Sequence, residues 1–543
     1  MSKKQNTSPR QTVTPEQVQE EYREGVRYKS ALGTHGMYEQ NRINERFYCG
    51  DQWHGVNCGD SRPLVRYNVI KRIGDYKMAV VGSEQLSVRF TAEGVPNTLD
   101  LQERVRLFRQ SMSAGGQEGL SELTAAEEAQ VVAGALTDYF RTTGRRLKLD
   151  MLKQRVLRNA YLSGTGVLYT YWDDSICTGL YADEARQCAI YGDIAAEVLE
   201  IEQLYVGDPT LEDLQQQPYI TIAQRRPLTE VRRMAKRHGC TAWDTIPPAD
   251  GEENHALLLT RFWKEWEPNG ESCTIWAMQV CGNTVVRPAW KLGVRLYPLS
   301  IFRWDEKRHQ AYGESEIPHL IPNQIAINRT ISAQVWAVMM MGMPIMLVNG
   351  DVVNQPITND PGQVVPVYGA GDTLQQAIRY VDPPAFSTQF DANVKGLIND
   401  TMTQAGVNST LLGDVQPNNT SAIIAVREAS LMPLHMMQNR FYTFIEETAR
   451  IWSEFWLAMY GDRQLKIEQE QGVWYMPFDS KRYRRMLLGI CVDVGAGQAY
   501  NEQHVLETLD GLYNHGVINA KQYLSRLPQG TVPQLDALLQ ELT

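Results

Sequence analysis

Cys49, His54 and Cys58 lie close enough in sequence to suggest a zinc site, because thiolates and imidazoles are the usual ligands of that ion. Their spacing matches no standard ligand pair and no fourth ligand stands beside them. Three ordinary loop or buried residues is the plainer reading, and no metal or other cofactor is expected. Carboxylates are plentiful, with 63 Asp and Glu. A two-metal nuclease would need several of them gathered on one site, and no clustered acidic motif stands out. Phosphate-cradling chemistry needs GxxxxGK[ST], yet no Gly-Lys dipeptide occurs in the chain. There is likewise no HExxH for zinc hydrolysis and no GxSxG for acyl transfer. Gly495-Ala-Gly497 lacks a third glycine and reads as a turn after a strand. The chain is therefore not expected to be an enzyme.

What remains is binding chemistry. Arg225, Arg226, Arg232, Arg233, Lys236 and Arg237 form a basic cluster that could touch phosphates, face solvent or pair with acids of a neighbouring subunit. The whole chain nevertheless carries a formal charge of −10. That balance argues against a tight non-specific grip on nucleic acid and fits a wall past which a polyanion slides. Five of the twelve tryptophans, Trp263, Trp266, Trp276, Trp290 and Trp304, fall within about 40 residues. Such aromatic density fits either a compact core or a surface that docks a partner, and both readings stand at this point.

The elements that must carry these groups follow from patterning. With 543 residues, 43% hydrophobic and 21% charged, the chain is a folded one of several domains. The eight scattered cysteines form no CxxC pair and the N-terminus has no apolar leader, so free thiols are expected. The most apolar run, 335–348, is 14 residues and is broken by Gly342 and Pro344, short of the ~20 a membrane span needs. Helices are predicted ending at Gly50, over 62–82, from a Thr124-to-Glu127 capping box to about Thr142, from about Arg145 to Leu162, over Leu228–His238, over 317–341, over 391–405 and over 421–460 with a kink at Pro433. Strands are expected at 86–92, 166–174, 218–226, 473–476 and 487–493, and four more form a compact β unit over 255–304. Short helices are expected at 501–514, 519–526 and 533–541, and residues 94–123 read as a loop or insertion. The fold class is α+β.

The order of these elements resembles the portal proteins (head-to-tail connectors) of tailed bacteriophages. The likeness rests on RFYCGDQW (Arg46–Trp53) and RPLVRYNVIKRIGDYKMAVV after it, on LSGTGVLYTYWDD, on EQLYVGDP, and on YPLSIFRWDE followed by YGESEIPHLIPNQIAINRTISAQ (Tyr312–Gln334). NNTSAIIAVREAS and the segment from LLGICVDVGAGQAY to QYLSRLP continue it. Together these cover most of the chain.

The resemblance implies a portal-type fold: an N-terminal wing (1–226), a first stem helix region (227–254), a clip (255–310), a second stem helix (311–343), a wing return strand with tunnel loop and tunnel helix (344–420), and a wing and helical crown (421–543). It implies a homo-oligomeric ring, typically a dodecamer, at the unique capsid vertex of the virion, assembled in the host cytoplasm. Double-stranded DNA would pass through the channel during packaging and ejection. Further partners would be the terminase large subunit, head–tail adaptor and tail proteins, and the major capsid or scaffold protein. Asp382, Phe386, Ser387, Thr388 and Gln389 are the expected tunnel loop, with 408–419 as the alternative. Trp263, Trp276 and Trp290 are the expected docking residues of the clip, and Asn323, Asn328 and Arg329 lie on the stem helix. A head–tail adaptor, a minor capsid protein or, at greater distance, a metal-dependent nuclease are the competing readings.

Overall fold

The computed structural model describes residues 13–524 except 57–62, 83–85, 93–124, 182–188, 250, 267–272, 342–345, 349–365, 367–377, 381–388, 408–419, 461, 470–471, 480–487, 495–508, 517–518 and 520–522. It is a mixed helix-and-sheet chain, as the α+β expectation holds, and it divides into two compact units. The first comprises 1–42, 75–316 and 433–543, and the second comprises 43–74 and 317–432.

In the first unit, helices α1 (Pro15–Ala31), α4 (Ala125–Leu147), α5 (Leu149–Ser163) and α6 (Leu228–Arg237) pack on two sheets. The larger sheet runs β4 (Leu204–Val206), β5 (Tyr219–Pro227), β6 (His255–Trp266), β7 (Cys273–Cys281) and β8 (Thr284–Lys291), in that spatial order and antiparallel throughout. The smaller has β2 (Thr165–Tyr181) between β3 (Ala189–Leu199) and β9 (Leu299–Arg303). Strand side chains alternate between faces, and β6 shows both being used. Leu259 and Trp263 face α1 with Val18, whereas Ala256 and Leu258 face α6 with Val231 and Ala235.

Charge fixes the first helix on its sheet. Glu21 accepts two hydrogen bonds from Arg261, at 2.6 and 2.9 Å, with both side chains nearly buried. Lys29 is fully buried, donates to the Ile201 carbonyl and lies 4.0 Å from the centre of the Tyr205 ring. Burial holds its ammonium well below the ordinary lysine range, partly offset by Glu202.

Helix α9 (Thr420–Met459) has 40 residues and is about 60 Å long at 1.5 Å per residue. Beyond Pro433 it forms the spine of the first unit. Phe441, Phe444, Trp452, Phe455 and Trp456 are all at most 2% exposed. Phe441 meets Phe302 of β9 edge to face at 5.4 Å, and Trp452 meets Phe140 of α4 at 4.9 Å. The Trp452 indole donates to Thr170 of β2 at 3.2 Å, so this buried polar atom is satisfied. Strand β1 (Leu86–Ala92) pairs with β14 (Leu488–Val494), tying two distant parts of the chain in register. Strands β12 (Asp462–Gln469) and β13 (Gly472–Asp479) form a hairpin, of which only the second is expected from sequence.

Two glycines mark a close approach that no side chain permits. A Cβ on Gly164, whose φ is +84°, would meet the Gly313 carbonyl oxygen at 2.4 Å. One on Gly313 would meet the Gly164 oxygen at 2.5 Å. The turn from α5 into β2 therefore packs backbone to backbone against the segment before residue 317.

Several expectations are corrected. The strands expected as a self-contained unit over 255–304 do not form one: β6 to β8 continue a sheet begun by β4 and β5, and β9 pairs with β2 instead. Helix α6, by contrast, ends before Gly239 (φ +78°) where the sequence places its stop, and it lies on the sheet. The break expected after Thr142 falls at Lys148, in left-handed conformation at φ 53°, so α4 runs on to Leu147. Thr124, the region 94–123 and most of the expected C-terminal helices lie outside the described residues.

Candidate functional site

The second unit holds the tips of α2 (Met37–Cys49) and α3 (Val69–Gly82), the helices α7 (Ile317–Met341) and α8 (Gln389–Gln404), and strands β10 (Met346–Val348) and β11 (Ile378–Tyr380). Helix α7 is 25 residues, about 37 Å. Pro318 sits in its first turn, where a missing N–H costs least, whereas Pro322 lies inside the helix and removes one i→i−4 hydrogen bond. It packs against α8, and Asn323 near its start donates to Gln404 at the end of α8 at 3.4 Å, which makes the pair antiparallel. Strands β10 and β11, also antiparallel, follow α7 and precede α8 in the chain. The arrangement is a helical hairpin whose distal connection carries a β ribbon.

A polar stripe on α7 holds this unit together. Gln324, Asn328 and Ser332 are spaced four apart and so share one helix face. Gln324 accepts from the backbone N–H of Val69 at 2.9 Å and donates to the Tyr67 carbonyl at 2.7 Å. Asn328 accepts from the Tyr67 N–H at 3.0 Å and donates to the Gln52 side chain at 2.6 Å. The Ser332 hydroxyl accepts from the Val65 N–H at 3.0 Å. An extended segment with no strand partner is thereby satisfied by side chains rather than by a sheet. Gln52, Gln324 and Asn328 are 7%, 1% and 2% exposed, so the centre of the network is dry while Tyr67 reaches solvent.

The expected stem residues divide accordingly. Asn328 is a buried member of the stripe, Asn323 bridges the two helices, and Arg329 faces solvent. Gln324, Gln52 and Ser332 escaped the sequence reading, although the four-residue spacing of polar side chains along an otherwise apolar helix is a visible signal. On α8, Val394, Thr401 and Met402 face inward, while Asp391, Lys395, Asn399 and Asp400 are exposed, with Asp391 and Lys395 paired at 2.7 Å. The far end of α7 exposes apolar side chains: Val335, Val338 and Met339 at 37%, 57% and 48%. Spaced three and four apart, these side chains share one helix face.

Of the expected tunnel loop, Asp382, Phe386, Ser387 and Thr388 lie outside the described residues, as does 408–419. Gln389 belongs to the backbone of the first turn of α8 rather than to the loop.

The three tryptophans expected to dock partners also separate. Trp263 is 7% exposed, in the cluster beneath α1 and opposite Trp276 across the β6–β7 pair, and is a core residue. Trp276 is half-buried against the same cluster. Trp290 is half-buried with the Arg287 guanidinium 3.7 Å from its ring centre. Trp266, at 63%, is the tryptophan that faces solvent at the end of β6. Cys49 is exposed, His54 sits 3.4 Å from Asp51, and Cys58 lies outside the described residues. Among the described residues no three His, Cys, Asp or Glu side chains gather as metal ligands, and no helix is long and apolar enough to cross a membrane.

A cleft of about 340 Å³ opens in the first unit between the 3-10 turn Leu214–Gln216, β9 and the second half of α9. Leu299, Ile301, Phe302 and Phe444 form an apolar floor, and Glu212, Asp213, Glu306 and Glu447 supply four carboxylates. Two cations also line it: Arg303 lies 4.0 Å from Glu306, leaving the carboxylates in excess by two, and Arg440 lies 3.8 Å from Asp305. Arg303 donates to the carbonyls of Ala311 and Glu212, and Arg440 to the carbonyl of Trp304 at 3.0 Å. Glu447 reaches solvent at the mouth while protein atoms crowd it on its other sides. That crowding, with the Asp213 charge second, pushes its carboxyl up to about 7 against the pull of Arg303 and Arg450.

No protein-family model matches the chain, and no curated protein matches it.

Proposed function

We propose that this chain is the subunit of a tailed-phage portal: a non-enzymatic ring at one capsid vertex through which double-stranded DNA is packaged and ejected. The observation that carries the reading is the antiparallel helix pair α7–α8, joined through a β ribbon and leaving Val335, Val338 and Met339 uncovered. In a lone subunit such a surface is a liability, whereas in a closed ring heterologous contacts cover it on every copy. The order of sequence segments that resembles the portal family is the second support.

On this reading the stem is the α7–α8 pair, and the clip, expected at 255–310, is instead the β10–β11 ribbon, because β6 to β9 are built into the sheets of the first unit. The five-stranded sheet and the aromatic body belong to the wing. Helix α8 offers the passing polymer asparagine, threonine and glutamine with two aspartates and one lysine, a face that neither grips nor strongly repels phosphate. The clip so placed would meet the terminase and the tail adaptors. Negative-stain microscopy of the purified chain tests the reading. Rings with an axial hole are expected. Monomers at every concentration, with or without capsid protein, would overturn it.

A further inference from the structure

The first unit carries two charged surfaces of opposite sign that cannot reach each other within one chain. One is the cleft described above, with carboxylates at its rim and an apolar floor. The other is the outer face of α6, where Arg233, Lys236 and Arg237, spaced three and four apart, are exposed side by side. The inner face of the same helix is spent on the sheet through Val231 and Ala235. Neighbouring bases are already used: Arg225 pairs with Glu252 at 2.7 Å and Arg226 with Glu197 at 3.2 Å. Arg233 and Arg237 have no ion-pair partner among the described residues.

Strand β5 keeps the two surfaces apart. The 3-10 turn that walls the cleft ends at Gln216, just before β5, and α6 begins at Leu228, just after it. The nine extended residues between them span about 30 Å at 3.3 Å each, several times the length of an arginine side chain. The helix cannot fold back into its own cleft.

We propose that the cleft receives the basic face of α6 from a second copy of this chain, so that adjacent subunits are joined wing to wing by a heterologous charged contact. The inference rests on the ring reading above and names the surfaces that close it. The cleft lies at the low end of the ~300–1,000 Å³ typical of ligand pockets, too small for a helix and adequate for long side chains reaching in from one. The aliphatic stems of arginine or lysine suit the Phe302 and Phe444 floor while their heads meet Glu306 and Glu447 at the mouth. Because the surfaces differ, each copy gives a helix to one neighbour and a cleft to the other, the geometry that closes into a ring.

Complementary charge reversal tests this on the full chain. E306K/E447K and R233E/R237E should each raise the concentration for half-assembly at least about tenfold, since like charges then face across the contact. Mixing the two variants should restore rings, now alternating, because each reversed helix then meets a reversed cleft and each unaltered helix an unaltered one. A folding defect would not be repaired by mixing. Should either reversal fail to fold, E447Q and R237Q serve instead, with the double variant expected to assemble no worse than the poorer single one. Rings that form normally in the reversed variants, or a mixture that restores nothing, overturn the contact and leave the ring reading intact. An unaltered chain that forms no ring overturns both.

Discussion

The two units are held together by different physics. The first unit is an aromatic body: Phe441, Phe444, Trp452 and Trp456 of α9 fill the space between α4 and the β3–β2–β9 sheet. The second owes its shape to a file of amide and hydroxyl side chains on α7 that bond the backbone of an extended segment, while apolar residues at the same helix's far end stay outside. The first unit buries its aromatic spine within itself, although Trp266 at the end of β6 still faces solvent. The helical hairpin leaves Val338 and Met339 uncovered, a surface that packing in an assembly would bury.

That contrast can be broken at its stronger end first. Trp452→Ala removes a ring that touches α4 and bonds Thr170, and it should cost about 3–5 kcal/mol in a denaturant titration. A loss below about 1 kcal/mol would show that α9 is not the spine of the body. Asn328→Ala should cost less, about 1–3 kcal/mol, by leaving the Tyr67 N–H and the Gln52 Oε1 without their partner. Hydrogen exchange should then accelerate at residues 65–70 and remain unchanged at β2 and β9. Acceleration in both units would mean that they do not unfold separately.

Smaller effects sharpen the same point. Val338→Ser with Met339→Ser should change the isolated chain's stability by no more than about 0.5 kcal/mol, because both sites are already wet, yet reduce assembly several-fold. Equal losses in stability and assembly would place these residues in a monomer core instead. Glu447 supplies a pH signature. Its folded value of about 7 lies above the ordinary carboxyl, so between those values the folded chain binds more protons than the unfolded one. Its contribution therefore stabilises at low pH and is lost as pH rises through 7, and Glu447→Gln should flatten that slope. A cation seated in the cleft favours the ionised form, so assembly should tighten over the same interval in which the lone chain weakens.

The elements were largely legible in the sequence because their signals are local. Gly50, Gly164 and Gly239 end helices where the chain turns left-handed, and the alternation of LSVRFTA marks β1. Pairing was not legible. Strand β9 lies close to β8 in sequence but joins β2, some 130 residues earlier, because Phe302 must meet Phe441 and Phe444 of α9. Proximity in sequence thus suggested a compact β unit that long-range burial dissolved. Tryptophan density left core and docking open, and for Trp263 burial decides: β6 is covered on both faces, so it points beneath α1. The polar stripe of α7 was written plainly at residues 324, 328 and 332, but its partner is an extended segment some 260 residues away.

A cryo-electron microscopy map of the purified oligomer measures directly where the α7–α8 hairpin lies. It should show a closed ring whose axial passage is lined or braced by this hairpin, with Val335, Val338 and Met339 buried against a neighbouring copy. A ring whose axis is lined by the five-stranded sheet, or one in which Val338 still faces solvent, would contradict it.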